Sequence, residues 1–382
     1  MSGLPAAYPF ITITINESGL IPVAQKSPGV IAIVGKAFVG PNEVTTTAAN
    51  TPVVIMTPGD VAQFAQGPAA NQQTALSNSL TLALEQNPAP SKIYAVRTAE
   101  NDYASALQSL EAVDDVDFVA LANETDITAL GALKTHVETL SATGNTQMAV
   151  AMLDPTHAKA TTYVNDVDTT LEPLKSAVGR MVIVAARGAT VDAGTAAMAA
   201  IAGYVPQESV VLKPVRGVTM PLASQYSPSE IIGLAQKGIN PIISPALMVG
   251  GGFYFGDART YSSDAALQFI DIVRVLDDID FKLKAGLVGA IGDDRITKSG
   301  LTLILSRTEG IMDPMVSAAE IDDYTIDIPL LDILIRPEST WSPGDTNMVT
   351  TARANRQITM YVNIVYGPAV HQIQVQLVPG FS

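Results

Sequence analysis

Short apolar runs alternate with amphipathic stretches over the first two thirds of this sequence. The apolar runs, which predict buried strands, lie at residues 30–34, 53–56, 92–96, 118–121, 148–152 and 181–185. Between them apolar residues recur at helical spacing, most clearly from Ile127 to Leu140. Another helix is predicted after Ser227, which forms a capping-box pattern with Glu230. Strands and helices that alternate in this way predict an α/β domain with a largely parallel sheet, here over residues 29–255.

The pattern changes near residue 256. Apolar and acidic positions intermingle at helical spacing over about residues 263–288, and a second helical stretch covers about 296–311. Alternation with a period of two then runs through YTIDIPLLDILI, which begins at Tyr324, and again through the closing residues. Helices followed by strands predict a second domain of the α+β class over residues 256–382. The predicted fold is therefore multidomain, with an α/β part followed by an α+β part.

Period-two strands lie at both ends of the sequence. Near the start, isoleucine alternates with threonine in FITITIN (strand 10–16), and a connector broken by proline and glycine follows it. Near the end, residues 358–365 and 371–377 predict two strands around a turn at Gly367 and Pro368. A lone strand is not stable and an open edge invites another chain, so both ends of the sequence are expected to need a strand partner. The apolar positions of these alternating strands are Ile11, Ile13, Ile15, Ile358, Met360, Val362, Ile364, Ile373, Val375 and Leu377.

Composition narrows the class of protein and of partner. The chain has 382 residues, 47% of them hydrophobic, which is ample for a core, and its net charge of −15 argues against nucleic acid or an anionic membrane as a partner. It has no cysteine, which removes disulfides and thiolate chemistry. The apolar runs are too short to span a bilayer, and no signal peptide is evident at the start. We expect a soluble protein made in the cytoplasm.

Candidate chemistry is sparse. The glycines after residues 30–34 suggest a nucleotide loop, but Pro41 and Asn42 stand where a P-loop needs lysine and a hydroxyl, and the dinucleotide pattern is missing. His136 is expected to be solvated, and no histidine spacing suits zinc. A solvated acidic helix face is expected for Asp166, Asp168 and Glu172, and a flexible crossing between domains for the glycine-rich VGGGFYFGD. The sequence thus predicts no cofactor, no metal and no catalytic residue, and favours a building block over an enzyme.

Several stretches together resemble one family, the sheath proteins of contractile tails found in phages, R-type bacteriocins and related injection systems. The stretch SPGVIAIVGKAFVGPNEVTTTAANTPVVIMTPGDVAQFAQG resembles the family's opening, with a turn from Phe64 to Gly67, and a later strand ends in Arg97. ARTYSSDAALQFIDIVRVLDDIDFKLKAGLVGAIGDD resembles the long helix of the family's conserved domain. The closing RQITMYVNIVYGPAVHQIQVQL resembles its terminal strands. The resemblance spans nearly the whole chain and is loosest at residues 100–250.

The resemblance implies a mechanical function. In this family an N-terminal arm strand and the C-terminal strands of neighbouring subunits join one sheet, so the protomers form a helical polymer around an inner tube and contract to drive the tube through a cell envelope. It implies an N-terminal arm at 1–28, whose strand 10–16 is donated to a neighbour, an outer domain at 29–255 and an inner domain at 256–382. It also implies that the alternating apolar positions of the terminal strands given above are the intersubunit strand contacts. The implied partners are further copies of the chain, the inner tail tube protein, and baseplate and tail-terminator proteins. The tube-facing residues it suggests are Arg274, Lys282 and Lys284 on the predicted helix 263–288.

Two other classes remain open from the sequence. One is a metabolic enzyme with an α/β nucleotide-binding-like fold, and the other is a different self-assembling shell or surface-layer protein. The alternating apolar strands at the two ends favour assembly over the enzyme. A sheath would be assembled in the host cytoplasm and become part of a virion tail or a contractile injection particle.

Overall fold

The computed structural model describes residues 29–39, 42–43, 47–65, 73–248 and 251–371. Among these, two compact units are present: a sheet unit (29–279 and 367–371) and a ribbon unit (280–366). The strands are β1 (Val30–Gly35), β2 (Phe38–Val39), β3 (Asn42–Glu43), β4 (Val53–Ile55), β5 (Lys92–Arg97), β6 (Phe118–Leu121), β7 (Met148–Met152), β8 (Met181–Ala185), β9 (Ile239–Ile243), β10 (Tyr254–Phe255), β11 (Asp323–Asp327) and β12 (Tyr361–Val365). The α-helices are α1 (Pro58–Val61), α2 (Ala75–Leu84), α3 (Tyr103–Gln108), α4 (Ile127–Ala142), α5 (Tyr163–Leu171), α6 (Ala193–Gly203), α7 (Pro228–Gln236), α8 (Ile270–Leu287), α9 (Lys298–Ser317), α10 (Pro329–Ile335) and α11 (Pro343–Asn355).

The sheet unit is built on an eight-stranded sheet in the order β10-β9-β8-β7-β6-β1-β5-β4. All neighbours run parallel except β4 with β5 and β10 with β9. The prediction of an α/β fold with a largely parallel sheet is therefore confirmed, and the six predicted strands match β1 and β4–β8 to within one residue at each end.

Helices cover both faces of this sheet because its strands are apolar on both sides. In β1, Ile31 and Ile33 belong to one core cluster, which also contains Leu76 and Leu80 of α2 and most of α6. The intervening residues of β1 belong to a second cluster with α3, α4, α5 and α7. The sequence of a strand that is buried on both faces is a continuous apolar run, and this is why these strands could be predicted.

The capping box predicted before α7 is present. The Ser227 hydroxyl accepts a hydrogen bond from the Glu230 amide, and the Glu230 carboxylate accepts one from the Ser227 amide at 2.8 Å. Gly238, with a φ of +80°, lies just beyond the helix and before β9. Local sequence chemistry thus determines where this helix begins and ends.

The glycine-rich stretch before residue 256 belongs to the sheet unit, so its expected role as a crossing between domains is wrong. Tyr254 and Phe255 form β10, which pairs antiparallel with Ile243 and Ile242 at the edge of the sheet. The sheet unit also extends past the expected boundary at 255, because the first turns of α8 contribute to its core. This helix begins at Ile270, later than expected.

The ribbon unit packs α9, α10 and α11 with the two-stranded sheet β11-β12. Its core consists of Leu301, Ile328, Leu330, Leu331, Ile333 and Val349. The segment YTIDIPLLDILI was expected to keep a period of two throughout, and this is only half right. Pro329 occupies the first position of α10, and the apolar positions after it fall on a helical face. Within the described residues, no helix is long and apolar enough to cross a membrane.

Candidate assembly interface

The ribbon β11-β12 follows directly from alternation in its two strands. Tyr324 lies opposite Ile364 and Ile326 lies opposite Val362, and these four side chains are half-buried on one face. The other residues of both strands, among them Tyr361, are exposed on the opposite face. This arrangement gives an antiparallel pair with one face toward the unit's interior and one face toward solvent.

Within the described residues, the strand at 358–365 has a partner that the sequence did not predict. The sequence suggested that this strand and residues 371–377 are consecutive strands around a turn, but within the described residues β12 pairs with β11, which precedes it by two helices. Residues 372–377 lie outside the described part of the chain. His371 does not begin a strand: its Nε2 lies 2.9 Å from the Ser209 hydroxyl, and its ring meets Phe269 edge-on, so it is held against the sheet unit.

The two ribbon edges differ in charge. Within the described residues no third strand pairs with either β11 or β12, so each strand has one unpaired edge. β11 begins and ends with exposed aspartates, Asp323 and Asp327, and charged side chains discourage pairing at an edge. β12 (YVNIV) carries no charge. The edge of β12 is therefore the better acceptor for an added strand.

The structure divides the predicted intersubunit residues into three groups. Ile358 and Met360 pack against the ribbon unit's own core, and the Thr308 hydroxyl lies 3.5 Å from the sulfur of Met360, so they contact their own chain. Val362 and Ile364 remain half-buried in the ribbon. The other six, Ile11, Ile13, Ile15, Ile373, Val375 and Leu377, lie outside the described residues.

Arg274 does not fit the tube-facing position suggested for it. Only 6% of the residue is exposed, and its guanidinium donates to the carbonyls of Tyr204 at 2.6 Å and Val205 at 3.2 Å, at the end of α6. Burial lowers the pKa of Arg274 to about 10. Both carbonyls belong to residues that follow the last residue of α6, so Arg274 fixes the chain just beyond this helix and is an internal contact, not a surface one.

The two lysines that were suggested, with Arg274, as tube-facing residues each form an ion pair with an acidic side chain. Lys282 lies 2.8 Å from Glu320, and its side chain is only 14% exposed. Lys284 pairs with Asp280 at 2.6 Å but remains 54% exposed. Of the three suggested cations, Lys284 is the one placed to meet a partner.

Four other cations of the ribbon unit are exposed near one end of α9 and α11. They are Arg295, Lys298, Arg353 and Arg356. The two helix ends adjoin, since Arg353 Nε donates to the carbonyl of Ile296 at 3.4 Å. We name these four residues the basic end. The basic end could not be recognised in the sequence, because its four residues lie in two segments almost 60 positions apart.

The glycine-rich end of β1, the place for a nucleotide loop, is occupied by packing and by an ion pair. A Cβ at Gly35 would lie 2.4 Å from the Cβ of Ala122, so glycine here permits close approach of neighbouring strand ends. Lys36 Nζ lies 3.2 Å from a Glu124 carboxylate oxygen, which also accepts a 2.6 Å hydrogen bond from the Tyr103 hydroxyl. The lysine thus has a carboxylate partner where a phosphate loop would present a free ammonium.

Two further expectations about charged residues are corrected. His136 is only 7% exposed, because it lies on the buried side of α4, and burial lowers its pKa. Asp168 is not simply a solvated acid: it pairs with Lys237 at 2.7 Å and accepts a hydrogen bond from the Tyr261 hydroxyl at 3.2 Å. Asp168 therefore links α5 to the segments that carry Lys237 and Tyr261. Among the described residues, no group of three or more histidine, aspartate or glutamate side chains is arranged to hold a metal ion.

Comparison with known proteins gives a match in structure but not in sequence. No family model matches the chain, and no curated protein matches it either. The sheath of an extracellular contractile injection system, PVC, in its contracted state gives a TM-score of 0.70 at 12% identity and covers 98% of each chain. A chain of the anti-feeding prophage baseplate gives 0.65 at 12% identity and covers 100% of each. A sheath tail protein from Desulfitobacterium hafniense gives 0.58 at 11% identity, over 83% of this chain and 93% of that one.

Proposed function

We propose that this chain, which has the fold of contractile sheath proteins, is itself a structural sheath protomer. It polymerises helically around an inner tube and contracts to drive that tube through a cell envelope. The observation that carries the proposal is the shared fold over 98% of both this chain and the contracted PVC sheath. With 98% of each chain covered, the match extends over both the sheet unit and the ribbon unit.

The intersubunit link is strand addition at the ribbon. Residues 10–16 of one copy pair with the uncharged edge of β12 in a neighbour, as an extra strand. Each main-chain hydrogen bond contributes about 1 kcal/mol net, and each fully buried isoleucine about 1.5–3 kcal/mol. The connector at 16–29 spans up to about 40 Å when extended, which is enough to reach another copy. Residues 371–377 supply a further strand of the same shared sheet.

Head-to-tail strand donation explains why the polymer is helical. A donor strand on one surface and an acceptor edge on another form a heterologous contact, and such a contact extends without closing on itself. Contraction draws its free energy from packing between protomers and not from nucleotide hydrolysis. The ion pair between Lys36 and Glu124, at the place of a nucleotide loop, supports this energy source.

The polymer has three other kinds of partner. The inner tail tube protein contacts the ribbon unit, where Lys284 and the basic end offer exposed cations to an acidic surface. Baseplate and tail-terminator proteins bind the two ends of the polymer, and the likeness to a chain of the anti-feeding prophage baseplate supports the first of these. The particle is assembled in the host cytoplasm and is a virion tail or an injection device.

Electron microscopy of the purified protein, alone and coexpressed with a candidate tube protein, tests this function. A sheath protomer gives hollow tubes or short helical stacks whose bore fits the tube protein. Flat lattices or closed shells would favour the surface-layer or shell alternative. Monodisperse particles with a turnover of a nucleotide substrate would favour the enzyme alternative.

A further inference from the structure

An uncharged groove lies in the ribbon unit where α10, α11 and the start of β12 meet. It has a volume of about 490 Å³, within the roughly 300–1,000 Å³ typical of binding pockets. Its apolar lining comes from Pro329, Leu330, Met348, Ala352, Ile358 and Tyr361. The remaining lining residues are glycine, asparagine, threonine and glutamine, so no residue lining the groove is charged.

The groove has a buried floor and exposed apolar walls. Leu330 is 4% exposed, whereas Met348 is 47% and Tyr361 is 54% exposed. Two large apolar side chains thus stand open to solvent beside an uncharged cavity, and contact with another chain would remove them from water. Tyr361 is also the first residue of β12, so the groove opens at the start of the strand whose edge accepts a donor.

The segment that contains the predicted donor strand is uncharged as well. Residues 1–16, MSGLPAAYPFITITIN, contain no Asp, Glu, Lys or Arg, in a chain that is 15% charged. Where the predicted donor strand 10–16 begins, this segment carries two aromatic residues, Tyr8 and Phe10, around Pro9. Aromatic side chains are the commonest anchors of protein interfaces, since each removes a large apolar area from water.

We propose that the groove binds residues 8–10 of a second copy of this chain, with Tyr8 and Phe10 as anchors. This inference rests on the proposed function, because it places the anchor next to the strand donated in the sheath. Residues 11–15 then continue along β12, and the anchor fixes which isoleucine meets which residue of the acceptor. The donated strand contributes main-chain hydrogen bonds, and the aromatic anchor fixes the register of that strand on β12.

Disulfide trapping tests the contact. The chain has no cysteine of its own, so any disulfide must join the introduced cysteines. Phe10→Cys and Met348→Cys are made in separate full-length chains, mixed under reducing conditions, allowed to assemble, and then oxidised. The expected product is a disulfide-linked dimer that forms only in the mixture. Thr351→Cys, also in the groove lining, serves as a second acceptor in case Met348→Cys disturbs folding. The matched control acceptor is Ile291→Cys, which is 82% exposed in the ribbon unit but does not line the groove.

The outcomes separate the groove from the function. Cross-links to 348 or 351 at several times the yield obtained with 291 support the proposal. Normal tubes in the microscope with equal yields at all three positions, or with none, would overturn the groove contact while leaving the sheath function intact. Failure of the unsubstituted protein to form any polymer would overturn the sheath function itself.

A double substitution, Tyr8→Ser with Phe10→Ser, adds a quantitative check. Loss of two interface anchors is expected to raise the critical concentration for assembly about tenfold or more. The control is Ala6→Ser with Ala7→Ser, which changes polarity nearby without removing an aromatic ring. Equal critical concentrations for the two double variants would contradict the anchor.

Discussion

Ile326 and Val362 lie directly opposite each other in the antiparallel ribbon, although two helices separate them in the sequence. This pairing closes the ribbon unit with strands of its own chain and leaves one edge of β12 open within the described residues. The ribbon is therefore a partial sheet, and a two-stranded sheet gains stability when a further strand is added. A donated strand from another copy is a natural completion.

The terminal alternation predicts that one face of residues 371–377 matters far more than the other. Val375→Asp places a charge among the three apolar positions and is expected to abolish polymerisation. Gln374→Asp adds the same charge to the polar face and is expected to have a much milder effect, because a period-two strand keeps its faces separate. Sedimentation and electron microscopy compare the two variants. Equal effects would show that the alternation has no structural meaning here.

Arg274 and Lys284 are expected to differ sharply when replaced. Arg274→Ala removes the donor to the carbonyls of Tyr204 and Val205, and each buried carbonyl left without a partner costs about 1–3 kcal/mol of folding free energy. Lys284→Ala changes an exposed side chain and is expected to alter stability by less than about 0.5 kcal/mol. Urea denaturation of both variants measures the difference, and similar midpoints would contradict the internal role of Arg274.

The buried side chain of His136 is expected to make the folded protein less stable at mildly acidic pH. Burial lowers its pKa in the folded state, while the nearby Glu111 carboxylate and Gln147 oppose that shift. The unfolded chain therefore binds the proton more readily, and the free energy of unfolding falls as the pH drops below about 6.5 toward the folded-state pKa. Above about pH 6.5 this contribution to stability is fully present.

Replacement of histidines isolates this effect. His136→Gln is expected to flatten the fall in urea midpoint between about pH 7.5 and about pH 5.5, relative to the unsubstituted chain. His157→Gln, at a more accessible position, is expected to leave the fall unchanged. An identical pH dependence in all three proteins would show that His136 does not contribute.

Calorimetry tests whether the protein binds a nucleotide or a metal ion that could supply energy for contraction. With Lys36 paired to Glu124, we expect no micromolar binding of ATP, NAD or a divalent ion to the isolated protein. A stoichiometric binding isotherm for any of them would contradict contraction driven by packing alone and would favour an enzyme. Lys36→Ala is the matched variant, because a true phosphate site at this position would lose its affinity.

The sequence predicted those elements whose apolar pattern is local. β6, β7 and β8 match their predicted limits because buried parallel strands read as unbroken apolar runs. β9 was missed because INPII contains a proline and an asparagine, and only the fold shows that Asn240 is paired, its side-chain amide donating to the carbonyls of Ile183 and Arg259. The alanine-rich α6 is buried all round, so it lacks the amphipathic stripe that marks a helix.

The candidate interface was predictable only in part. Alternation identified the two strands of the ribbon. It did not show that β12 pairs with β11, because this pairing depends on how α10 and α11 bring the two strands side by side. The burial of Arg274 and His136 was hidden because polar side chains are ordinarily exposed and their partners lie far away in the sequence. The groove depends on three separate elements, so no single segment carries its signature.

Removal of the arm tests the central claim most directly. A chain that lacks residues 1–20 keeps both described units intact, so it should remain folded and largely monomeric in solution. Electron microscopy of this truncated protein beside the full-length chain, at equal concentration, is the decisive measurement. Strand donation predicts tubes from the full-length chain and none from the truncated one. Tubes of normal morphology from the truncated chain would contradict the account, because the arm would then not be the link between protomers.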